Sequence, residues 1–394
     1  MRVTFLASND THVTMFAPVA STIERFDAVP RFVSLDRYYG QGATAAASRI
    51  GVSCVELDGG SAAAGRFYRR LAPAIWADVL RSLVHIDRYL QDAKPDVLVV
   101  GNDFGLIEKA FLHRAAPSVR RRVLVQDGKL SPSRPAPASP TERFTSLAKA
   151  GLSPLLRAAG VGYLARSEYG TAEVDAVCAS GDSGASILRS RAQKALVVVT
   201  GQPRYDRLAA LLGQRAPRSD IVGLFTTADL DARADRAQGA MAAALAEPLA
   251  GRGLRLVVKP HPRESPTRYA TLLGGESHVW LSGAAELLRR SRLAIIGVST
   301  VIEEAGILGC PVVVPGALVH GRRNERFLPP DPPYPRFDSA EEGLRLVQRC
   351  LADGRHLRQL ADDQRVHVLA EVAFSPDKPA AEAVAHVILG DVPR

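Results

Sequence analysis

Residues 292–316 read RLAIIGVSTVIEEAGILGCPVVVPG, and this stretch decides the fold class. An apolar run, Leu293 to Ile296, stops at Gly297. Ser299 and Thr300 open a stretch with apolar residues at helical spacing, Gly309 ends it, and Val312 to Val314 form a second apolar run. Strand, turn, helix and strand in direct succession make a βαβ unit, the building block of a parallel sheet.

The alternation continues in both directions. Upstream, DIVGLFTTA (220–228) and LRLVVKPHPRES (254–265) are strands that run out into polar loops, and HVWLS (278–282) reads as a further strand. In the first half, 2–7, 31–36, 52–57, 95–103, 121–128, 174–180 and 195–200 are short apolar runs separated by helix-like segments. FYRRLAPAIWADVLRSLVHIDRYLQDA (67–93) carries apolar residues at three- and four-residue steps, the pattern of a long amphipathic helix. Val/Leu-only runs such as 97–100 suit strands buried on both faces. The expected architecture is α/β, with two tandem Rossmann-like, doubly wound domains facing across a cleft. The first covers 1–212 and the second 213–370, with 371–394 a C-terminal helix packing back on the first. Such sheets bind ligands outside the carboxyl ends of their strands.

Bulk properties narrow the classes. The chain has 394 residues, 46% hydrophobic and 23% charged, more than one core holds comfortably. No apolar run reaches the roughly 18–20 residues of a bilayer span. Cys54, Cys178, Cys310 and Cys350 lie far apart, which disfavours a disulfide framework or a zinc site. The expectation is a cytoplasmic protein with reduced thiols. The net charge of +9 favours anionic partners, and attachment to the inner face of an anionic membrane stays open. No nucleic-acid-binding motif is present.

The candidate site residues stand at strand ends. Ser299 and Thr300 begin a helix, where free N–H groups and the helix dipole receive anions, and Glu303 or Glu304 one turn later can accept from ribose hydroxyls. The same residues also read as a plain βαβ unit with a Thr300–Glu303 capping box. In KPHP, Pro260 and Pro262 restrict the backbone around His261, so its ring could meet a phosphate with little loss of freedom; Lys259 and Arg263 add positive potential. In TGQPRYDRL (200–208), Gly201 permits close backbone approach and Arg204 either reaches a phosphate or pairs with Asp206. Gln126-Asp127-Gly128 ends a first-half strand; Asp127 is a general base toward an acceptor hydroxyl or an ordinary Asp-Gly turn. Asp10, His12, Asn102 and Asp103, in two more strand-end loops, are acceptor-binding candidates. Asp229-Leu230-Asp231 has metal-bridging spacing but reads as a helix cap, and the histidines lack metal-ligand spacing, so no metal is assigned. His367 reads as a surface or packing residue.

The order of these motifs resembles the GT-B glycosyltransferases of bacterial surface polysaccharides. Gln126-Asp127-Gly128, His261-Pro262 and Ser299-Thr300 follow one another as in sialyl- and polysialyltransferases and capsular Kdo transferases. Thr200 to Leu208 is similar to a stretch of CDP-glycerol polyol-phosphate transferases, and the strand-turn-Glu-Glu unit to one of UDP-N-acetylglucosamine 2-epimerases. The resemblance implies a metal-independent transferase without a separate cofactor. A CMP- or UDP-linked sugar would be the donor substrate, and a glycan or small molecule the acceptor. Asp127 would be the base. Donor contacts would come from Gly201, Arg204, Lys259, His261, Pro262, Ser299, Thr300 and Glu303 or Glu304. A nucleotide-sugar epimerase or hydrolase, or a CDP-polyol phosphotransferase, is the alternative. Two departures stand out: Gln126 replaces an acidic residue of the sialyltransferase motif, and FTTADLD stands where the epimerases carry His-Arg-Arg-Glu.

Overall fold

The computed structural model describes residues 1–59, 73–130, 168–192, 194–212, 220–227, 232–262, 264–316 and 330–391. The chain divides into two units. Met1–Gly128, Pro137–Asp206 and Ala373–Arg394 form the first, and Lys129–Ala136 with Arg207–Val372 the second. The chain leaves the first unit at Asp206, not at 212, and returns to it at Ala373.

The first unit holds a seven-stranded parallel sheet. Its strands are β1 (Arg2–Ala7), β2 (Val29–Ser34), β3 (Cys54–Glu56), β4 (Val97–Val100), β5 (Arg121–Val125), β6 (Ala176–Ala179) and β7 (Leu196–Val199), in the order β3-β2-β1-β4-β5-β6-β7. All four residues of β4 are buried, as a strand covered on both faces requires. Phe5 and Phe32 from the sheet and Phe16, Val19 and Ile23 from the helix Asp10–Glu24 form the core. Val384 and Ile388 of the C-terminal helix Ala380–Leu389 join the same core. The order reverses between β1 and β4, so their carboxyl ends, Ala7 and Val100, open a crevice suited to a ligand.

The second unit has a five-stranded parallel sheet of β8 (Ile221–Phe225), β9 (Arg255–Lys259), β10 (Ser291–Ile296), β11 (Val312–Pro315) and β12 (Arg336–Phe337), in the order β12-β11-β10-β8-β9. The register puts Ile296, Phe225 and Lys259 level with one another. The loops after β9 and β10 therefore leave the same sheet edge on either side of β8, about 10 Å apart at two strand spacings. HVWLS is not a strand: Val279 makes one isolated bridge to Val258, beside the short turn Glu276–His278. The two-residue β12 had no legible run. Asp229 to Asp231 and Arg263 fall outside the described residues.

Candidate active site

In the first unit the site grows from three adjacent strand ends. After β1, Asn9 caps the helix Asp10–Glu24 by accepting the His12 N–H (2.8 Å), which fixes His12 in the first turn. Nδ1 of His12 accepts the backbone N–H of Ser8 (3.2 Å), so the ring proton sits on Nε2. Nε2 lies 3.0 Å from Asp127 Oδ2, just beyond β5. Gly101, just beyond β4, faces the same ring: a Cβ there would lie 2.7 Å from Nε2. The Tyr169 hydroxyl ties the ends of β4 and β5 together, lying 3.1 Å from both the Gly101 and Val125 carbonyls and 3.2 Å from the Asp127 N–H.

Asp127 is the open member of this group. Its side chain is 21% exposed, against 0% for His12. Arg204 Nη1 reaches its other oxygen, Oδ1, at 3.4 Å. Burial disfavours the charged carboxylate, but the hydrogen bond from His12 and the nearby Arg204 charge outweigh it and hold the carboxyl below its usual range. Behind His12, Ser8 and Tyr39 donate to the buried Glu108, whose carboxyl is pushed up by burial against those two hydrogen bonds.

In the second unit the KPHP turn is pinned by a residue absent from the sequence reading, Glu264. Its carboxylate accepts the His261 N–H (3.0 Å), the Tyr269 hydroxyl (3.0 Å), a Gln238 amide N–H (3.3 Å) and the Thr226 hydroxyl. The His261 N–H also donates to Thr226 Oγ1 at 2.9 Å. Lys259 is half-buried at the end of β9, and loss of hydration pulls its ammonium below the ordinary lysine range. Beyond β10, Ser299 Oγ accepts the Val301 N–H (3.2 Å) and Thr300 is the cap residue of the helix Val301–Ile307 without a side-chain capping bond. The alternative reading, a Thr300–Glu303 capping box, gives way to a serine cap. Ser299, Thr300 and Glu303 line a cavity of about 200 Å³.

No protein-family model matches the chain, and no curated protein matches it in sequence. Solved structures do. The UDP-GlcNAc 2-epimerase of Neisseria meningitidis, bound to UDP-GlcNAc, superposes with a TM-score of 0.59 at 12% identity, over 99% of this chain and 100% of that one. The calicheamicin glycosyltransferase CalG4 gives 0.58 at 16%, over 100% and 99%. MurG of Acinetobacter baumannii gives 0.56 at 13%, over 99% of both chains. The fold is GT-B.

Within this GT-B chain several expected residues have other work. Asp103 is fully buried and accepts the N–H groups of Gly170 (2.9 Å) and Ala172 (2.8 Å), so it holds that loop and is not placed to meet an acceptor. Burial pushes its carboxyl up against those two bonds. His12 is likewise enclosed and acts on Asp127. Asn102 accepts the Phe104 N–H within its own turn (2.7 Å), and Asp10 opens the first helix. Glu303 and Glu304 part ways: Glu303 faces the cavity, whereas Glu304 Oε1 pairs with Arg207 at 3.0 Å. Arg204 pairs with Asp127 and not with Asp206. Asp206 accepts the N–H groups of Ala380 and Ala381, both at 2.8 Å, and anchors the C-terminal helix. Gly201, at φ 81°, would drive a Cβ to 2.3 Å from the Ala373 carbonyl oxygen, so it too seats the C-terminal segment. Pro262 is exposed after the half-exposed His261.

Among the described residues no cluster of His, Cys, Asp and Glu could hold a metal ion, and no helix is long and apolar enough to cross a membrane. The sequence reading missed Gly101, Glu264, Tyr334, His367 and Glu371. His367 and Glu371 carried a usable signal, an i,i+4 pair on the helix Gly354–Glu371.

Proposed function

We propose that the chain is a glycosyltransferase that moves a sugar from a CMP- or UDP-linked donor to a hydroxyl of a glycan or smaller acceptor. Asp127 carries this reading: a partly exposed carboxylate at a strand end one strand from the reversal of a parallel sheet, held ionised by His12 and Arg204. The acceptor hydroxyl would face Oδ1, whose long 3.4 Å contact with Arg204 leaves a lone pair for it, whereas His12 holds Oδ2 at 3.0 Å. As the acceptor oxygen bonds to the anomeric carbon, its proton passes to Asp127. The bond from that carbon to the phosphate oxygen breaks, and its electron pair leaves with the nucleotide. A carboxylate of depressed basicity takes the proton only once bond formation has made the hydroxyl acidic, so transfer is late.

The second unit would hold the nucleotide. Lys259, His261, Ser299 and Thr300 supply positive charge and donors for the departing phosphate, and Glu303 an acceptor for the ribose. Glu304 is left out, because it does not line the cavity that Glu303 faces. Thermal shift against CMP, CDP, UMP, UDP, GDP and TDP tests the reading. A bound nucleotide at a hundredfold its Kd adds about 2.7 kcal/mol of stability. A flat response to all six contradicts it.

The likeness to the Neisseria meningitidis epimerase favours a second reading, a nucleotide-sugar 2-epimerase. Against it, Thr226 at the end of β8 is bound to the Glu264 turn, where those enzymes carry His-Arg-Arg-Glu. Conversion of UDP-N-acetylglucosamine without any acceptor would replace the transferase reading.

A further inference from the structure

The ladder between β4 and β5 ends at the pair Val100–Leu124. Gly101 and Asp127, on which the His12 contact depends, both lie beyond that pair. Strands of a twisted sheet diverge once their ladder stops, so the spacing of these two loops needs another tie. The Tyr169 hydroxyl supplies it. The phenol shares its single proton between the Gly101 and Val125 carbonyls, each at 3.1 Å, and its oxygen accepts the Asp127 N–H at 3.2 Å. Burial and the negative charges of Asp103 and Asp127 push the phenol well above the ordinary tyrosine range, so it remains a donor.

Tyr169 stands in a segment, 168–175, that belongs to no helix or strand. A buried carboxylate gives that segment its shape. One oxygen of Asp103 accepts the Gly170 N–H at 2.9 Å, and the other accepts the Ala172 N–H at 2.8 Å. Arg191 Nη1 holds the Tyr169 carbonyl at 3.2 Å. Asp103 thus reaches the chemistry without touching it: the carboxylate fixes the segment, the segment presents the phenol, and the phenol fixes the backbone of Asp127.

We infer that Asp103 and Tyr169 form one positioning clamp, which sets Asp127 at hydrogen-bond distance from His12 and so prepares it for the acceptor hydroxyl. The inference rests on the transferase reading above. Tyr169→Phe keeps the ring and removes only the shared oxygen, so Asp127 should withdraw from His12. The charged and titratable groups that face Asp127 are His12, Arg204 and Tyr169 itself. A weaker bond from His12 raises the carboxyl pKa and moves the acid limb of the pH–rate profile to higher pH. Partial unfolding would lower the height of that profile and leave its midpoint in place.

The test combines NMR of protein labelled with ¹⁵N at histidine with turnover across pH, scored as nucleotide release from UDP- and CMP-linked sugars with a panel of sugar acceptors. In the wild type the His12 Nε2 proton, bonded to a carboxylate, should resonate downfield and resist exchange. Tyr169→Phe and Asp103→Asn should each shift that proton upfield and raise the acid limb. Each should lower kcat about 10²-fold, with the donor KM unchanged. The double variant should lose no more than the worse single one, because both act through one oxygen. Losses that multiply overturn the shared clamp. A His12 proton and an acid limb that both stay in place in Tyr169→Phe overturn it too, and leave the transferase reading standing. If Asp103→Asn does not fold, Tyr169→Phe decides alone. A wild type that transfers none of these sugars overturns the reading and the catalytic purpose of the clamp together.

Discussion

His12 Nε2 lies 3.0 Å from Asp127 Oδ2, joining the loop after the first strand to the loop after the fifth. Gly101 makes the contact possible, because the His12 ring occupies the space its side chain would need. The backbone N–H of Ser8 fixes the ring's tautomer, so His12 offers Asp127 a permanent donor and keeps no free nitrogen for substrate.

Gly101→Ala should therefore uncouple the pair. A Cβ at 2.7 Å from Nε2 must push the ring away. Turnover should fall about 10²-fold, the cost of misplacing a reacting group by about 1 Å. Nucleotide affinity, measured by titration, should stay at the wild-type value.

Arg204→Gln should move the acid limb of the pH–rate profile. Activity needs ionised Asp127, so it rises with pH through that pKa, which lies below the usual carboxylate range. Removing the Arg204 charge takes away one of the influences that lower it, and the midpoint of the limb should shift to higher pH. A limb that stays in place, or moves down, would separate Arg204 from Asp127.

Asp206→Ala should loosen the C-terminal helix without touching the chemistry. Two N–H groups at the start of Ala380–Leu389 lose their acceptor. A lost cap costs about 1–2 kcal/mol, read as a lower urea midpoint for the first unit. Gly201→Ala should be worse, since it combines a positive φ with a collision against the Ala373 carbonyl.

His261→Ala and Glu264→Gln should each weaken nucleotide binding, and their effects should not add. Glu264 sets the turn that presents His261, so the double variant should lose little more than the worse single one. Full additivity in the titrations would show that the two residues act independently.

The two-sheet architecture was legible because parallel strands buried on both faces leave continuous apolar runs, as at 97–100 and 293–296. Asp127 and His261 stood out as candidates just beyond such runs, and Glu303 as a carboxylate in the helix that follows one. What each one touches was not legible. Nothing local tells Glu303 from Glu304, since Arg207, distant in sequence, takes only the second. Asp103 looks like a loop aspartate until the Gly170 and Ala172 amides close on it. GQPRYD resembled a ligand loop, yet Gly201 and Asp206 serve a helix at the other end of the chain. Tyr334 lies in a proline-rich stretch without periodicity, so only tertiary packing exposes its unsatisfied hydroxyl.

The central claim, that Asp127 receives the acceptor proton in a nucleotide-sugar transfer, is tested most directly by Asp127→Asn. The amide oxygen can still accept from His12, so the fold and the nucleotide affinity should be retained. Acceptor-dependent release of nucleotide from the donor should fall roughly 10²–10⁴-fold. Wild-type turnover in Asp127→Asn would contradict the account.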